Sequence, residues 1–250
     1  MAVDFDRYLQ LWEKQQNALI EKREERFSFM IDFLKHSSGD LKRILDLGCG
    51  PGSLSIRLSQ SFPHAEIYGI DYDPVLLRIG KESTYGKRIT FLERDLKSGT
   101  WIQGLPSEGF DAVVSTTALH WLPYSNLENV YIHVNSLLRP SGIFMNGDHF
   151  HSVFEDKTAR IIYDQMRHLM EKSLLKEMGA MDWDQWWKYV EESGDFRDEL
   201  AERNKRYSNG PHDQGIPLET HFELLRKAGF NTADIPWKYL NNSVLVAIKE

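Results

Sequence analysis

Cysteine is almost missing from this chain. Cys49 is the only one in 250 residues, so no intrachain disulfide can form and a reducing compartment is expected. No apolar run reaches the length of a membrane span. No long basic run occurs, and the formal net charge is −7, so nucleic acid is not the expected partner. The N-terminal residues are amphipathic and rich in Glu and Arg, unlike a secretory leader. A soluble cytoplasmic protein with no membrane partner is the expectation, and its oligomeric state is left open. Internal repeats and low-complexity segments are also lacking. The apolar content of 41% is ordinary, enough for one α/β domain with an insertion or for two small domains.

What stands out is the stretch Ile44-Leu45-Asp46-Leu47-Gly48-Cys49-Gly50-Pro51-Gly52, followed by Ser53-Leu54-Ser55-Ile56. It reads as a buried strand running into a glycine turn that opens a helix. Glycines let the backbone approach a ligand, and a helix starting there offers free N–H groups. The spacing Gly-x-Gly-x-Gly is not the dinucleotide fingerprint, because Ser53 stands where that pattern has its third glycine. The Gly-Lys-Ser/Thr ending of a P-loop is absent as well. Cys49, inside the turn, reads as a small packing residue before a nucleophile, since no base lies beside it in sequence.

The rest of the chain alternates. Residues 5–35 read as helix, as one or broken into two, with Gln16 and Arg23 in the apolar stripe. Arg23 reads first as a stem covering apolar neighbours. A second reading makes this helix a lid from which Arg23 or Arg26 grips a carboxylate. Gly39 ends the segment. Strands are predicted at 43–47, 66–70, 89–92, 110–115 and 142–146, with helices between them. Asp73 and Pro74 carry the signature of a helix N-terminus. This βαβα rhythm predicts an α/β fold with a doubly wound, mostly parallel sheet.

Residues 150–217 break the rhythm with three helical stretches, marked by Ala159, Ile162, Met166 and Leu169, then Trp183, Trp186, Trp187 and Val190, then Phe196, Leu200 and Tyr207. Gly210-Pro211 stops the third. The tryptophan cluster reads as a core between helices, with a substrate-pocket lining as the second reading. A helix over 220–228 with Gly229 past its end, and strands at 231–235 and 243–248, return to the sheet. The expected division is a helical lid at 1–40, a Rossmann-like unit at 41–149 and 218–250 with a seven-stranded sheet, and a helical cap at 150–217.

The Asp-Leu-Gly-Cys-Gly-Pro-Gly turn after an Arg-Ile-Leu strand resembles motif I of the class I S-adenosylmethionine (SAM)-dependent methyltransferases. Ala118-Leu119-His120-Trp121-Leu122, after the fourth strand, resembles the small-molecule members of the trans-aconitate and malonyl-carrier-protein type. The Asn/Asp-Pro-Pro-Tyr/Phe motif of DNA and amide methyltransferases is not there. The resemblance covers about 43–147 and, more weakly, 218–248. It implies SAM as cofactor and a small-molecule acceptor.

Each part of SAM then has a candidate at the carboxyl edge of the sheet. Gly48, Cys49, Gly50 and Gly52 suit the methionine tail, with Asp46 orienting its amino group. Asp71, nineteen residues after Gly52, sits at the offset of a ribose-binding acid, with a helix-capping role as its rival. Tyr72 can pack on adenine. The resemblance assigns the adenine amino contact to Asp95, otherwise a surface-turn carboxylate, with Leu96 beside it, and Thr116 joins the cofactor contacts.

For chemistry, His120 can serve as a general base, or can pack against the cofactor side with Trp121. Asp148, His149, His151 and His212 are read first as contacts to substrate, then as loop polars, then as metal ligands, and no metal site is predicted because Asp-His-x-His is not a recognised one. Trp121, Asp148, His151 and His212 are the substrate candidates, and His120 and His149 the catalytic ones. The expected function is methyl transfer from SAM by in-line displacement to a small molecule at oxygen, carboxylate or hydroxyl. The alternatives are an N-, C- or metal-assisted methyltransferase, and a SAM-binding regulatory protein without turnover.

Overall fold

A computed structural model describes residues 2–37, 40–152, 156–208 and 215–250. Gly39, Gly210, Pro211 and His212 lie outside the described residues. Two helices, α1 (Phe5–Leu19) and α2 (Arg23–Ser37), come first. The alternating part follows: β1 (Arg43–Leu47), α3 (Ser53–Ser61), β2 (Glu66–Asp71), α4 (Pro74–Glu82), β3 (Ile89–Glu93), β4 (Phe110–Thr116), α5 (Tyr124–Leu137) and β5 (Leu138–His149). Then come α6 (Lys157–Met178), α7 (Trp183–Ser193) and α8 (Arg197–Arg206), before α9 (Leu218–Lys227), β6 (Thr232–Tyr239) and β7 (Asn242–Ile248) close the fold.

The sheet has seven strands in the order β3-β2-β1-β4-β5-β7-β6. All pairs are parallel except those of β7, which runs antiparallel to β5 and β6. The direction of winding reverses between β1 and β4, and the crevice at their carboxyl ends is where such sheets bind ligands. Strand residues alternate between two cores. Ile44, Val114, Ile143 and Met145 face the layer of α1 to α4 and α7. Leu45, Leu47, Val113 and Phe144 face α5 and α9.

Local signals explain the element ends. The N-terminal helical pattern breaks at Ile20, which is extended, and Lys22, which has φ +56°. Asp73 caps α4 by accepting from Val75 N and Leu76 N, with Pro74 in the first turn. Past α9, Phe230 N donates to Leu225 O at 3.0 Å and Gly229 has φ +96°.

Two expectations need correction. The fifth strand runs over twelve residues rather than 142–146, because β4 pairs with it at Leu138 and β7 as far as Asp148↔Ser243 and His149↔Asn242. β6 likewise runs on past residue 235 to Tyr239, paired with β7. The helical stretch marked by Ala159, Ile162, Met166 and Leu169 is α6, though Ile162, Met166 and Leu169 are 47%, 42% and 66% exposed. The layer beneath is already filled by α1, α2 and α7, and α6 lies against α1 without burying a side chain. Of the tryptophans of α7, Trp186 forms a core between helices, Trp187 is half-buried beside it, and Trp183 is 40% exposed. Trp186 is fully buried, with its ring centroid 4.9 Å from Trp12 and 4.8 Å from Trp187.

Candidate active site

β1 delivers the chain into the glycine turn. Gly48 and Cys49 donate their N–H groups to Ile70 O at 2.8 and 3.0 Å, which ties the turn to β2. Gly48 has φ +68°, and a Cβ there would overlap Ala118 Cβ, so the loop after β4 packs directly on the turn. A Cβ on Gly50 would meet only Leu76 at 3.8 Å and Trp12 at 4.0 Å, so Trp12 of α1 roofs the turn. α3 then starts at Ser53 with no side-chain cap on its first N–H groups.

Two carboxylates flank this turn. Asp46, 1% exposed, accepts from Ser55 Oγ at 2.6 Å, and burial pushes its pKa up to about 7. Asp71, its counterpart at the end of β2, accepts from Gly50 N at 2.7 Å, Tyr72 N at 2.7 Å and Asp73 N at 2.8 Å. Desolvation pushes its pKa up to about 6, against the pull of those N–H groups. Capping of α4 falls to Asp73, so Asp71 holds the glycine turn against the loop after β2. Cys49 is buried against Gly69, and burial with Asp71 and Asp46 nearby drives its thiol pKa well up, which suits packing and not nucleophilic attack.

Other candidates scatter around this edge. Tyr72 is half-buried, beneath Arg206 of α8 at 4.5 Å. Asp95 accepts from Lys97 N at 2.9 Å and so makes a turn after β3, with Leu96 half-buried beside it. Thr116 ends β4, half-buried. Arg23 does not reach the turn with a free guanidinium. It pairs with Glu13 at 3.0 Å and Asn17 at 2.7 Å. Glu13 also holds Arg57 at 2.8 Å and Ser53 Oγ, and these partners, outweighing burial, draw its pKa down to about 2.

The second half of the site lies at the ends of β4 and β5. After Thr117, with φ +50°, a short turn over Leu119–Trp121 presents His120. Its Nδ1 lies 2.9 Å from both Oδ1 and Oδ2 of Asp148, and the two aromatic rings of His120 and Trp121 are 4.3 Å apart. Asp148 is 2% exposed. Burial alone would raise its pKa, but His120 and His149, with the His149 N–H, hold it below the usual carboxylate value. A carboxylate on Nδ1 fixes the proton there and leaves Nε2 as the basic nitrogen.

His149 turns the other way, because adjacent strand residues alternate. Its Nε2 lies 3.0 Å from Glu21 Oε1. Arg26 is fully buried on that side, with Nη1 on Asn242 Oδ1 at 2.8 Å and Nη2 on Thr117 Oγ1 at 3.3 Å. His151 lies 3.4 Å from Asn241 Nδ2, at the rim of the cleft beside His120 and Asp148. Beneath that cleft is a residue the sequence reading missed: His221, bonded to Tyr131 Oη at 2.6 Å and pushed down to about 4 by burial, hence neutral. A cavity of about 270 Å³ adjoins it across Phe150, between Tyr163, Leu218 and Lys238. Among the described residues, no three His, Cys, Asp or Glu side chains gather within reach of one metal ion.

The residues at the turn fit a nucleoside with a cationic amino-acid tail. Gly50 leaves room, since a Cβ there would meet only Leu76 and Trp12, and two acids stand at adjacent strand ends. Trp12, Arg206 and Tyr207 also border this region. Nothing in their own sequence neighbourhood marks them, since α1 and α8, far from the turn in sequence, bring them in.

Comparison with known proteins agrees with this geometry. Residues 44–142 match the family model of the methyltransferase domain. A malonyl-[acyl-carrier protein] O-methyltransferase of Bacillus cereus is 27% identical over 155 residues, 62% of this chain and 52% of that protein. A trans-aconitate 2-methyltransferase of Escherichia coli is 32% identical over 104 residues, 42% of this chain and 38% of that protein. The matched part therefore spans about half or less of these relatives. An O-methyltransferase family protein from Burkholderia thailandensis superposes with TM-score 0.58 at 15% identity, over 98% of this chain and 70% of that one. The magnesium protoporphyrin IX methyltransferase of Synechocystis, solved with bound SAH, gives TM-score 0.55 at 16% identity, over 98% and 94%. At such identity these two share the fold. With the glycine turn, the match over 44–142 identifies those residues as a methyltransferase domain, similar to the class I, SAM-dependent kind.

Proposed function

We propose that the protein transfers a methyl group from SAM to a hydroxyl oxygen of a small molecule. The observation that carries this is the His120–Asp148 pair, 2.9 Å apart at the ends of β4 and β5. When bound, the donor supplies a methyl group already activated by the sulfonium. Residues 48–52 and Asp71 would hold it across β1 and β2, and Ala118 carries the next loop against Gly48. His120, two residues further on, is then beside the far side of the donor. A carboxylate acceptor needs no base, whereas a hydroxyl gains from an oriented imidazole that takes its proton at Nε2. The protein's further part is alignment in a site shielded from water.

A carboxylate acceptor is the second reading, favoured by the names of the trans-aconitate and malonyl-carrier relatives. Against it, none of the described residues lining the cleft beside His120 is a lysine or arginine. Arg26, the nearby guanidinium, spends both terminal nitrogens on Asn242 and Thr117. The division into lid, core and cap, and a cytoplasmic location inferred from the lone cysteine, belong to the same proposal. Product S-adenosylhomocysteine (SAH) should form with neutral phenols or alcohols and give methyl ethers. Methyl esters from di- and tricarboxylic acids would establish the second reading. Tight SAH binding with no product from any acceptor would point to a regulatory protein.

Donor binding should depend on pH. Asp46 and Asp71 have raised values, about 7 and about 6, so both become neutral as pH falls from 7.5 to 5.5. A cationic donor prefers the ionised acids, so its affinity falls with them, by up to about tenfold per pH unit for each group. Calorimetric titration at pH 5.5, 6.5 and 7.5 checks this, and a flat profile would remove both acids from the donor site.

A further inference from the structure

Helix α8 ends on the nucleoside side of the proposed donor site. Arg203 Nε donates to Asp73 Oδ2 at 2.7 Å, the oxygen not used in capping α4. Arg206 Nη1 donates to Tyr72 O at 2.6 Å, and its Nη2 donates to Glu93 Oε1 at 2.6 Å. One guanidinium thus clasps the ends of β2 and β3, which are paired at Asp71↔Glu93. The same group lies over the Tyr72 ring, and the Tyr207 ring meets Tyr72 edge-on at 6.2 Å. Burial and the fields of Asp71 and Asp73 raise the Tyr207 hydroxyl pKa, as expected of a phenol close to both acids.

The start of α8 is anchored in the core by Phe196, with Leu200 half-buried against it, but core burial does not explain where its last turn lies. None of its side chains is fully buried, and past Leu200 ion pairs to Asp73, Glu93 and Arg78 dock it. Such partly exposed pairs are individually weak. The helix nevertheless continues a roof that starts at the glycine turn. Trp12 covers Gly50 and packs on Trp186, Trp186 packs on Trp187, and the Arg203 guanidinium stacks 3.4 Å over Trp187.

We propose that the last turn of α8 is part of the donor site: Arg206 and Tyr207 close over the adenosine half of the bound donor and hold Tyr72 against it. This rests on the reading of Asp71 as the nucleoside acid. It gives the helical insertion a role in donor retention. Arg203 is a positioning residue, fixing the helix on Asp73.

The test uses the full chain and two probes, SAH and 5′-methylthioadenosine, which lacks the amino-acid tail. Arg206→Ala and Tyr207→Ala should each weaken SAH about tenfold, mainly through faster dissociation, and weaken methylthioadenosine by the same factor. With an acceptor, the donor KM should rise more than kcat falls. Thermal melting shows whether each variant is folded. Folded variants that bind both probes within twofold of the parent would overturn the inference. So would tighter binding with faster association, which would make α8 an obstruction. If the parent itself bound neither probe, the donor reading would fall, and this inference with it.

Discussion

Replacing His120 by alanine is expected to lower kcat for a hydroxyl acceptor by about 10²–10⁴-fold, the usual range for a lost general base. Donor affinity should change little, because His120 stands on the β4–β5 side and Asp71 on the β2 side of the glycine turn. The orientation comes from Asp148, buried in β5 and anionic, with both oxygens 2.9 Å from Nδ1. Asp148→Asn should therefore fall in the same direction. An amide can present its NH₂ to Nδ1, which favours the tautomer with its proton on Nε2, the wrong nitrogen for a base. Steady-state rates across pH, with SAH binding measured in parallel, check both variants. His120→Ala turning over within about threefold of the parent would leave His120 as a packing partner of Trp121 and would favour a carboxylate acceptor, which asks for no base.

Much of this site was legible because its signals are local. The strand, the glycine turn and the helix start occupy one stretch of thirteen residues, 44–56, and Asp73-Pro74 marks the start of α4 in two. Asp71 was legible as a strand-end acid at a fixed offset. The rest depends on partners far away in sequence. The far end of β5 is set by β7, about a hundred residues later in the chain. Asp148 and His149 looked equivalent as neighbours, yet alternation sends one to His120 and the other to Glu21 on α2's side. Arg23 met its carboxylate on the preceding helix, Glu13, and so is not spare for a ligand. On α6 the apolar spacing was present without a surface to meet it, since periodicity reports a face and not what covers it. The approach of Arg206 and Tyr207 to Tyr72 has no sequence signal at all, because α8 is polar and its contacts are set by tertiary placement.

Asp71→Ala is expected to raise the donor dissociation constant by about 100-fold. Hydrogen bonds to a charged acceptor contribute about 1.5–3 kcal/mol each, so losing one or two from the ribose diol removes roughly 3 kcal/mol, and 1.4 kcal/mol is tenfold. The substitution also strips acceptors from Gly50 N, Tyr72 N and Asp73 N, so the glycine turn itself should loosen from the loop after β2. Asp71→Asn separates these effects. One amide oxygen can still accept from Tyr72 and Asp73, but the NH₂ then faces Gly50 N, donor against donor. It should therefore weaken the donor nearly as much as alanine does, while restoring part of the lost thermal stability. Isothermal titration with SAH, alongside melting curves, reads the two quantities apart. Because His120→Ala acts on kcat and Asp71→Ala on donor Kd, the pair also separates the two halves of the site. SAH bound by Asp71→Ala as tightly as by the parent would show that the acid at the end of β2 serves the turn alone, and the donor assignment would have to be abandoned.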